Sequence, residues 1–255
     1  MPTDTTVLDP FQTALAILLP LFLLLAYIPP VYNMTFKIVR EKESRIKETM
    51  RIMGMTDAPY WLSWLCFYTL VNTIVTTCSW LVLIIKVIKF SEPFYIWLFF
   101  WLFGQAVFGQ IVFLQSLFAG SKYAGIVSTV IYFCGVLVNS LINDDDVSHV
   151  NKMLGSLLPQ VAIMQGSKVF ANYEGTGIGL NESTANVMYN NYSFNSSLYM
   201  LFLDCLIYLV LGLYLDKVIP MDYGQRLKPW FLCSPSYYRC CRPARRRGVV
   251  MDRGD

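Results

Sequence analysis

Five long stretches of this sequence carry almost no charged side chains, and no other feature constrains the fold as strongly. Four contain no Asp, Glu, Lys or Arg, and the fifth contains only Asp204; the stretches are residues 10–36, 58–85, 93–121, 123–143 and 183–215. Each reaches the roughly 20 residues with which an α-helix crosses about 30 Å of hydrocarbon. Lipid cannot satisfy backbone hydrogen bonds, so such segments must be helical. The stretches predict an all-α fold, a polytopic helical membrane bundle with about five membrane spans.

We place the spans in a transmembrane domain at residues 11–216, between an exoplasmic leader at 1–10 and a cytosolic linker and basic tail at 217–255. The predicted spans are residues 11–33, 60–85, 94–118, 123–142 and 197–215. Composition agrees, because only 15% of the residues are charged against about 25% in soluble domains. The chain has one histidine and no CxxC pair, so we expect no metal site. We expect membrane lipid around the bundle and no nucleic-acid partner.

The distribution of Lys and Arg predicts the orientation of the bundle. With an exoplasmic N-terminus, the cytosolic segments 37–57, 122 and 217–253 contain 16 of the 20 basic residues, as the positive-inside rule requires. The same orientation makes the loop at 143–196 exoplasmic and the C-terminus cytosolic. That loop contains three N-x-S sequons, which are candidate N-glycosylation sites at Asn181, Asn191 and Asn195.

Residues 36–54 predict an amphipathic helix at the cytosolic surface, directly after the first span. Apolar residues recur along one face at helical spacing, and Gly54 is placed to end the helix; the apolar residues are Val39, Ile46, Met50 and Met53. We expect this face to pack against the inner ends of the spans, with Glu41, Lys42 and Glu48 pointing away from them. Such a helix either rests on anionic lipid or docks on a cytosolic partner.

The exoplasmic loop contains a second helical pattern. Helical spacing of its apolar residues continues until Pro159 interrupts the register; these residues are Val150, Met153, Leu154, Leu157, Leu158 and Val161. Because both flanks of the loop are exoplasmic, a helix here cannot cross the membrane once. We therefore expect a re-entrant or interfacial helical hairpin, with a soluble cap as the alternative.

Polar side chains inside the spans are candidates for a substrate path. Asp204 is the only ionisable residue well inside a span, where a carboxylate is costly unless it faces the bundle or a wet cavity. A hydrogen bond with Tyr208 is the alternative. On the second span, Asn72 and Thr76 lie on a polar face where hydrogen bonds between helices compete with a pathway role. Three glutamines of the third span advance by about 140° per step and share no face: Gln105, Gln110 and Gln115.

Two motifs near opposite ends of the chain resemble a known family. The segment EKESRIKETMRIMGM at 41–55 is similar to the EKE-x-x-x-KE-x-M-x-x-MG signature that follows an early membrane helix in ABC transporters of subfamily A. The segment YLDKVIPMDYGQRLKPWFLCSPSYY at 214–238 resembles the family's Y-x-D-x-V-x-P-x-x-YG-x-x-KPW-x-F pattern. In the family, that pattern leads from the last membrane helix of one half towards the nucleotide-binding domain. The hydrophobic layout between the motifs also matches, which extends the resemblance to an ABC-2 type membrane domain.

The resemblance implies the membrane-spanning half of an ATP-binding-cassette transporter that moves lipid or another hydrophobic substrate across or out of the bilayer. It implies a second transmembrane half, and a nucleotide-binding domain that binds ATP and Mg on the same longer polypeptide or on a separate chain. The coupling helix that contacts this domain would carry Glu41, Lys42, Glu43, Lys47 and Glu48. The 255 residues contain no GxxxxGK[ST] loop, so we expect no catalytic site and no ATP hydrolysis from this chain alone. The alternative is a non-catalytic membrane subunit or scaffold derived from a degenerate transporter half.

Overall fold

The computed structural model describes residues 10–86, 88, 90–142 and 147–219, with side chains from residue 18 onward except that of Lys86. Nearly all of the predicted leader and of the predicted linker and basic tail lies outside the described residues. Within them the chain forms eight α-helices, which are α1 (Pro10–Glu43), α2 (Ile46–Ile52), α3 (Asp57–Lys86), α4 (Pro93–Gln115), α5 (Ser121–Ile142), α6 (His149–Gly155), α7 (Pro159–Gly175) and α8 (Phe194–Val218).

Five of the helices are long and apolar enough to cross a membrane, namely α1, α3, α4, α5 and α8. They confirm the all-helical polytopic bundle that the charge-free stretches predict. Helix α1 continues ten residues past its predicted span, and α3, α5 and α8 extend beyond theirs by one to three residues, because a helix can continue past the charged residue that ends an apolar run. The exception is α4, which ends at Gln115 rather than at residue 118.

The long helices run alternately in opposite directions. As a result, the C-terminal ends of α1, α4 and α8 lie beside the N-terminal ends of α3 and α5. Side-chain contacts define this end of the bundle: Lys42 meets Gln115 and Asp216, and Glu43 meets the backbone of Ser121. We call it the α2 end, because α2 lies there. The opposite end, where α6 and α7 lie, is the hairpin end.

Helix α4 forms the centre of the bundle. It is buried on nearly every side and contacts α1, α3, α5, α7 and α8, as expected for a helix that is apolar all round. The other four long helices each expose an apolar face, on which Phe22, Leu70, Ile126 and Val210 are more than half exposed. These faces form the surface that the bundle presents to lipid.

Two helices, α6 and α7, occupy the region in which the sequence predicts a helical hairpin. Pro159 is the first residue of α7, a position where proline is favoured because the backbone N–H there has no helical partner. Helix α7 packs against α1, α5 and α8 and is largely buried, whereas Val150 and Leu154 of α6 are exposed. Helix α7 is therefore an internal part of the bundle, and α6 lies at its surface.

The single helix predicted at 36–54 is wrong in its bounds. The chain continues α1 to its end, breaks, and forms α2 as a separate helix. At the break, Arg45 adopts a left-handed conformation with φ 58°, and the Ser44 hydroxyl donates to the carbonyl of Arg40 at 2.8 Å. A serine hydroxyl that binds the backbone carbonyl four residues earlier often bends a helix, which is consistent with the break at this point. Gly54, with φ 96°, follows α2 as the sequence predicts.

The expected packing of the apolar face is also wrong. Val39 is buried, but Ile46 is 47% exposed and Met53 is 74% exposed. Lys42, which we expected to point away from the spans, is buried among them. The left-handed residue Arg45 changes the direction of the chain, so α1 and α2 do not share one continuous helical face.

Candidate functional site

Residues of the two sequence motifs meet in an ionic cluster at the α2 end, which we define as Lys42, Lys47, Asp216 and Gln115. Asp216, near the end of α8, binds Lys42 through Oδ1 and Lys47 through Oδ2, with 2.7 Å between Lys47 Nζ and Oδ2. Lys42 Nζ also donates to Oε1 of Gln115 at the end of α4. The side chains of Lys42 and Asp216 are 4% and 6% exposed, so salt in the solvent screens this pair little.

Two aromatic rings of α3 lie against the ionic cluster. Lys47 Nζ is 5.2 Å from the ring centroid of Tyr60 and 5.4 Å from that of Trp61. Lys42 Nζ is 5.9 Å from the ring centroid of Trp61. These distances are typical of cation–π contacts. The Tyr60 hydroxyl also donates to the Glu41 carboxylate at 2.8 Å. The ionic cluster and these rings together connect the ends of α1, α2, α3, α4 and α8.

The structure brings together only part of the predicted coupling set. Lys42 and Lys47 face inward, and Glu41 is bound through its carboxylate. Glu43 is exposed and accepts a hydrogen bond at 3.2 Å from the backbone N–H of the first residue of α5. Glu48 is partly exposed on α2. Most charged residues of this segment therefore bind the bundle itself rather than facing away from it.

Asp216 is the member of the ionic cluster that the sequence analysis did not single out. It lies in the second motif and close to the C-terminal end of α8, where the helix dipole disfavours a negative charge. A carboxylate in such a position indicates a specific cationic partner, and this signal was present in the sequence. Its partners were not, because 174 residues separate Lys42 from Asp216.

Asp204 is completely buried near the middle of α8. Within the part of the chain that the structure describes, neither of its carboxylate oxygens has a hydrogen-bond partner. The alternative bond with Tyr208 does not form, since the Tyr208 hydroxyl donates to the backbone carbonyl of Leu157 at 3.0 Å. A buried polar group without a partner is costly, so the structure supplies no stabilising role for this carboxylate.

The polar face of α3 forms hydrogen bonds with neighbouring helices. Asn72 accepts a bond from the Tyr27 hydroxyl at 2.7 Å and donates to the backbone carbonyl of Trp101 at 3.2 Å. Thr76 is buried, and its hydroxyl has no partner among the described residues. These contacts involve α1 and α4, whereas Asp204 lies on α8. The structure therefore does not bring the three candidate path residues together.

The glutamines of α4 bind three different neighbours. Gln105 accepts a hydrogen bond from Thr69 of α3 at 3.3 Å. Gln110 accepts one from Gln160 of α7 at 2.7 Å, and Gln115 belongs to the ionic cluster. Their lack of a common face follows from the central position of α4, which has a neighbour on every side.

At the hairpin end, Glu174 of α7 fastens the connection between α3 and α4. Its carboxylate accepts hydrogen bonds from the backbone N–H groups of Phe90 at 3.0 Å and Ser91 at 3.2 Å, and from the Ser91 hydroxyl at 2.6 Å. Bonds to a charged acceptor are stronger than bonds between neutral groups. The N–H of Leu180 donates to the same hydroxyl at 2.9 Å, which attaches the loop after α7 to this connection.

The sequons differ in accessibility. Asn191 is exposed in a tight turn with φ 58°, and Asn181 is partly exposed. Asn195 lies in the first turn of α8, where its amide nitrogen donates to Asn186 at 2.7 Å. Beside Asn191, burial raises the pKa of the Tyr192 hydroxyl to about 12, so this group stays a neutral phenol. Asn191 is the most exposed of the three sequon asparagines.

Known proteins resemble this chain over nearly its whole length. A family model described as "ABC-2 family transporter protein" matches residues 2–214. The "Retinal-specific phospholipid-transporting ATPase ABCA4" of Bos taurus is 32% identical over 244 residues, covering 93% of this chain and 11% of that protein. The "Cholesterol transporter ABCA5" of Rattus norvegicus is 33% identical over 229 residues, covering 86% of this chain and 13% of that protein. The "Glucosylceramide transporter ABCA12" of Homo sapiens is 26% identical over 242 residues, covering 91% and 9%.

The chain spans about a tenth of the length of these relatives. The family match covers the five long helices almost completely and includes the first of the two sequence motifs. It is a match to a membrane domain, in agreement with the helical bundle described above. The chain belongs to the ABC-2 family of transporter proteins and is related to ABC transporters of subfamily A.

Proposed function

We propose that this chain is the membrane-spanning half of an ATP-binding-cassette transporter that moves a lipid or another hydrophobic substrate across or out of the bilayer. A nucleotide-binding domain outside these 255 residues supplies the energy, and a second transmembrane half completes the pathway. The ionic cluster is the observation that carries the proposal. It joins the EKE motif to the end of α8, so an ATPase domain bound at the α2 end acts on the first and last helices together.

Coupling proceeds through a conformational change of the bundle. Nucleotide binding shifts the bundle between two states because the ATPase domain binds one state more tightly. None of the residues of α2 is buried, and Ile52 and Met53 are 86% and 74% exposed. Exposed apolar groups of this kind are typical of a partner-binding surface. In this arrangement Glu48, Ile52 and Met53 contact the ATPase domain, while the other charged coupling residues, Glu41, Lys42, Glu43 and Lys47, attach the segment to the bundle.

A lipid is the substrate class that fits the relatives, whose names specify a phospholipid, cholesterol and glucosylceramide. We place Asp204 on the substrate path, because its carboxylate is an ionisable group inside a span without a partner in the described residues. Asn72 and Thr76 remain secondary candidates, since hydrogen bonds between helices already account for the burial of Asn72.

The α2 end faces the cytosol in this proposal, and the hairpin end is exoplasmic. The excess of Lys and Arg near the α2 end supports this orientation. Helices α6 and α7 then form a hairpin that enters from the exoplasmic side, which the burial of α7 and the exposed apolar residues of α6 support. The exoplasmic loop would carry glycans at Asn181, Asn191 and Asn195.

Reconstitution tests the proposal. The assembly of this chain with its nucleotide-binding domain and second half is placed in liposomes that contain a fluorescent phospholipid. We expect lipid movement that requires hydrolysable ATP. The purified chain alone should hydrolyse ATP only at background rate, because it contains no loop that binds the β- and γ-phosphates.

The scaffold alternative predicts a different result. A degenerate transporter half would keep its helical fold but would not co-purify with a nucleotide-binding chain, and ATP would not move lipid. Reproducible absence of such a chain, together with lipid movement at the level of empty liposomes, contradicts the transporter proposal. If the isolated chain still hydrolyses ATP after contaminating ATPases have been removed, the proposal that a separate nucleotide-binding domain hydrolyses the ATP is contradicted.

A further inference from the structure

We propose that Asp216 is a positioning residue that holds α2 in the orientation in which the ATPase domain binds it. The inference rests on the transporter function proposed above. Asp216 binds on both sides of the break between α1 and α2, because one oxygen contacts Lys42 in the last turn of α1 and the other contacts Lys47 in α2. One carboxylate on α8 therefore binds both α1 and α2, although these two helices are far from it in the sequence.

Few other contacts hold α2 in place. None of its residues is buried, and its main neighbour is α1. Among the residues that the structure describes, Lys47 makes the side-chain hydrogen bond, the ion pair and the ring contacts that connect α2 to other helices. Without the Lys47 ammonium group, α2 keeps mainly its covalent connection through the break. Its orientation therefore depends on the groups that Lys47 contacts, which are the Asp216 carboxylate on α8 and the rings of Tyr60 and Trp61 on α3.

The environment of this ion pair suits the transmission of movement. The side chain of Asp216 is 6% exposed and that of Lys47 is 18% exposed, so the attraction is less screened than between exposed groups. Separating the pair leaves a carboxylate partly unpaired in a buried place, which is costly. A displacement of α2 by the ATPase domain therefore favours a matching displacement of α8. Lys42 extends the same link to α1.

The first test measures the position of α2 and does not require transport. Nitroxide labels at Ile52→Cys and Lys122→Cys report the distance between α2 and the start of α5, in a background whose seven native cysteines are replaced by serine. In lipid nanodiscs, Lys47→Met should broaden or shift the distance distribution. Lys37→Met removes the same charge from an exposed position on α1 and should leave the distribution as in the wild type. An unchanged distribution for Lys47→Met overturns the inference.

The second test measures coupling in the complete assembly, as lipid molecules moved per ATP hydrolysed. We expect Lys47→Met to lower this ratio about tenfold, which corresponds to about 1.4 kcal/mol, and Lys37→Met to leave it unchanged. A purely structural role would reduce the amount of folded protein but not the ratio. Wild-type coupling in Lys47→Met therefore contradicts a positioning role even if the variant is less stable.

An exchange of charges tests the direct contact. Lys47→Asp combined with Asp216→Lys keeps two ammonium groups and one carboxylate in the ionic cluster. Each single substitution should lower the coupling ratio, and the double variant should recover part of the loss. If the coupling ratio of the double variant does not exceed the lower of the two single-variant ratios, the direct contact between Lys47 and Asp216 is contradicted. If the wild-type assembly moves no lipid, the transporter proposal fails, while the label distances, measured also for Asp216→Lys and for the double variant, still decide whether Asp216 positions α2.

Discussion

At the scale of single residues, glycines allow α4 and α8 to approach closely. A Cβ atom added at Gly212 would lie 2.6 Å from the carbonyl carbon of Val112, and one added at Gly109 would lie 3.0 Å from the carbonyl oxygen of Cys205. Small residues at such crossings let the backbones of membrane helices make contact. The packing of α8 on the central helix therefore depends on the missing side chain at Gly212.

Gly212→Ala should lower the melting temperature of the bundle by several degrees. The added methyl group overpacks against a backbone, which costs about 1–3 kcal/mol. That cost exceeds the gain of up to about 1 kcal/mol that alanine has over glycine in a helix. Gly120→Ala is the matched control, because its Cβ would meet only the Tyr123 ring at 3.6 Å. Intrinsic tryptophan fluorescence during heating measures both variants, and equal melting temperatures would contradict the close contact.

Asp204→Asn should keep or raise the melting temperature, because it removes a carboxylate without a partner in the described residues. A neutral amide of nearly the same shape has a smaller desolvation cost. Lipid movement by the assembly should fall at the same time, a trade-off that is common at functional sites. Glu182→Gln, in the exposed loop, should change neither quantity. A melting temperature well below that of the wild type would show that Asp204 has a stabilising partner.

At the scale of elements, the break between α1 and α2 determines which residues are exposed at the α2 end. The prediction from apolar periodicity assumed one continuous helix, which would bury Ile46 and Met53 and expose Lys42. The left-handed residue Arg45 reverses this arrangement, so Lys42 is buried and the two apolar residues are exposed. The docking proposed for α2 would therefore depend more on apolar contact than the sequence suggested.

Ile52→Asp should weaken binding of the nucleotide-binding domain without preventing membrane insertion, because Ile52 is 86% exposed and lies outside the long helices. Burial of an isoleucine at an interface contributes about 1.5–3 kcal/mol, so the dissociation constant should rise about tenfold or more. Titration of the nucleotide-binding domain onto the chain in nanodiscs measures this dissociation constant. Ile178→Asp, an exposed isoleucine at the hairpin end, is the control. If Ile52→Asp binds the nucleotide-binding domain normally but attaches less tightly to anionic vesicles, the result would favour the alternative in which this segment rests on anionic lipid.

At the scale of the whole molecule, the orientation of the bundle predicts which surface residues a reagent reaches from outside the cell. In a cysteine-free background, Ser183→Cys at the hairpin end should react with an impermeant maleimide on intact cells or right-side-out vesicles, because the excess of basic residues predicts a cytosolic α2 end. Lys122→Cys at the α2 end should react only after permeabilisation. Both positions are exposed. The opposite pattern of labelling would reverse the proposed topology.

The candidate site was partly predictable. The resemblance of the EKE segment singled out Lys42 and Lys47 as candidates, because the residues of such a motif lie close together in the sequence, and both side chains lie in the ionic cluster. Their partner was not predictable, because 169 residues separate Lys47 from Asp216 and a local pattern contains no information about such contacts. For Asn72 the sequence left two alternatives open, a hydrogen bond between helices and a place on the substrate path, and its hydrogen bonds to α1 and α4 are of the first kind.

The sequence by itself determined the number of long helices and their approximate bounds. This is a local property, since each membrane helix satisfies its own backbone hydrogen bonds and tolerates few charges along its length. Only the tertiary structure decided that α4 is central, that α7 is buried and that Asp216 joins α1 to α2. In lipid both the protein-facing and the lipid-facing sides of a helix are apolar, so hydrophobic periodicity does not distinguish them. The arrangement of the helices therefore follows from close packing and from pairing of a few buried polar groups, which only the folded molecule brings together.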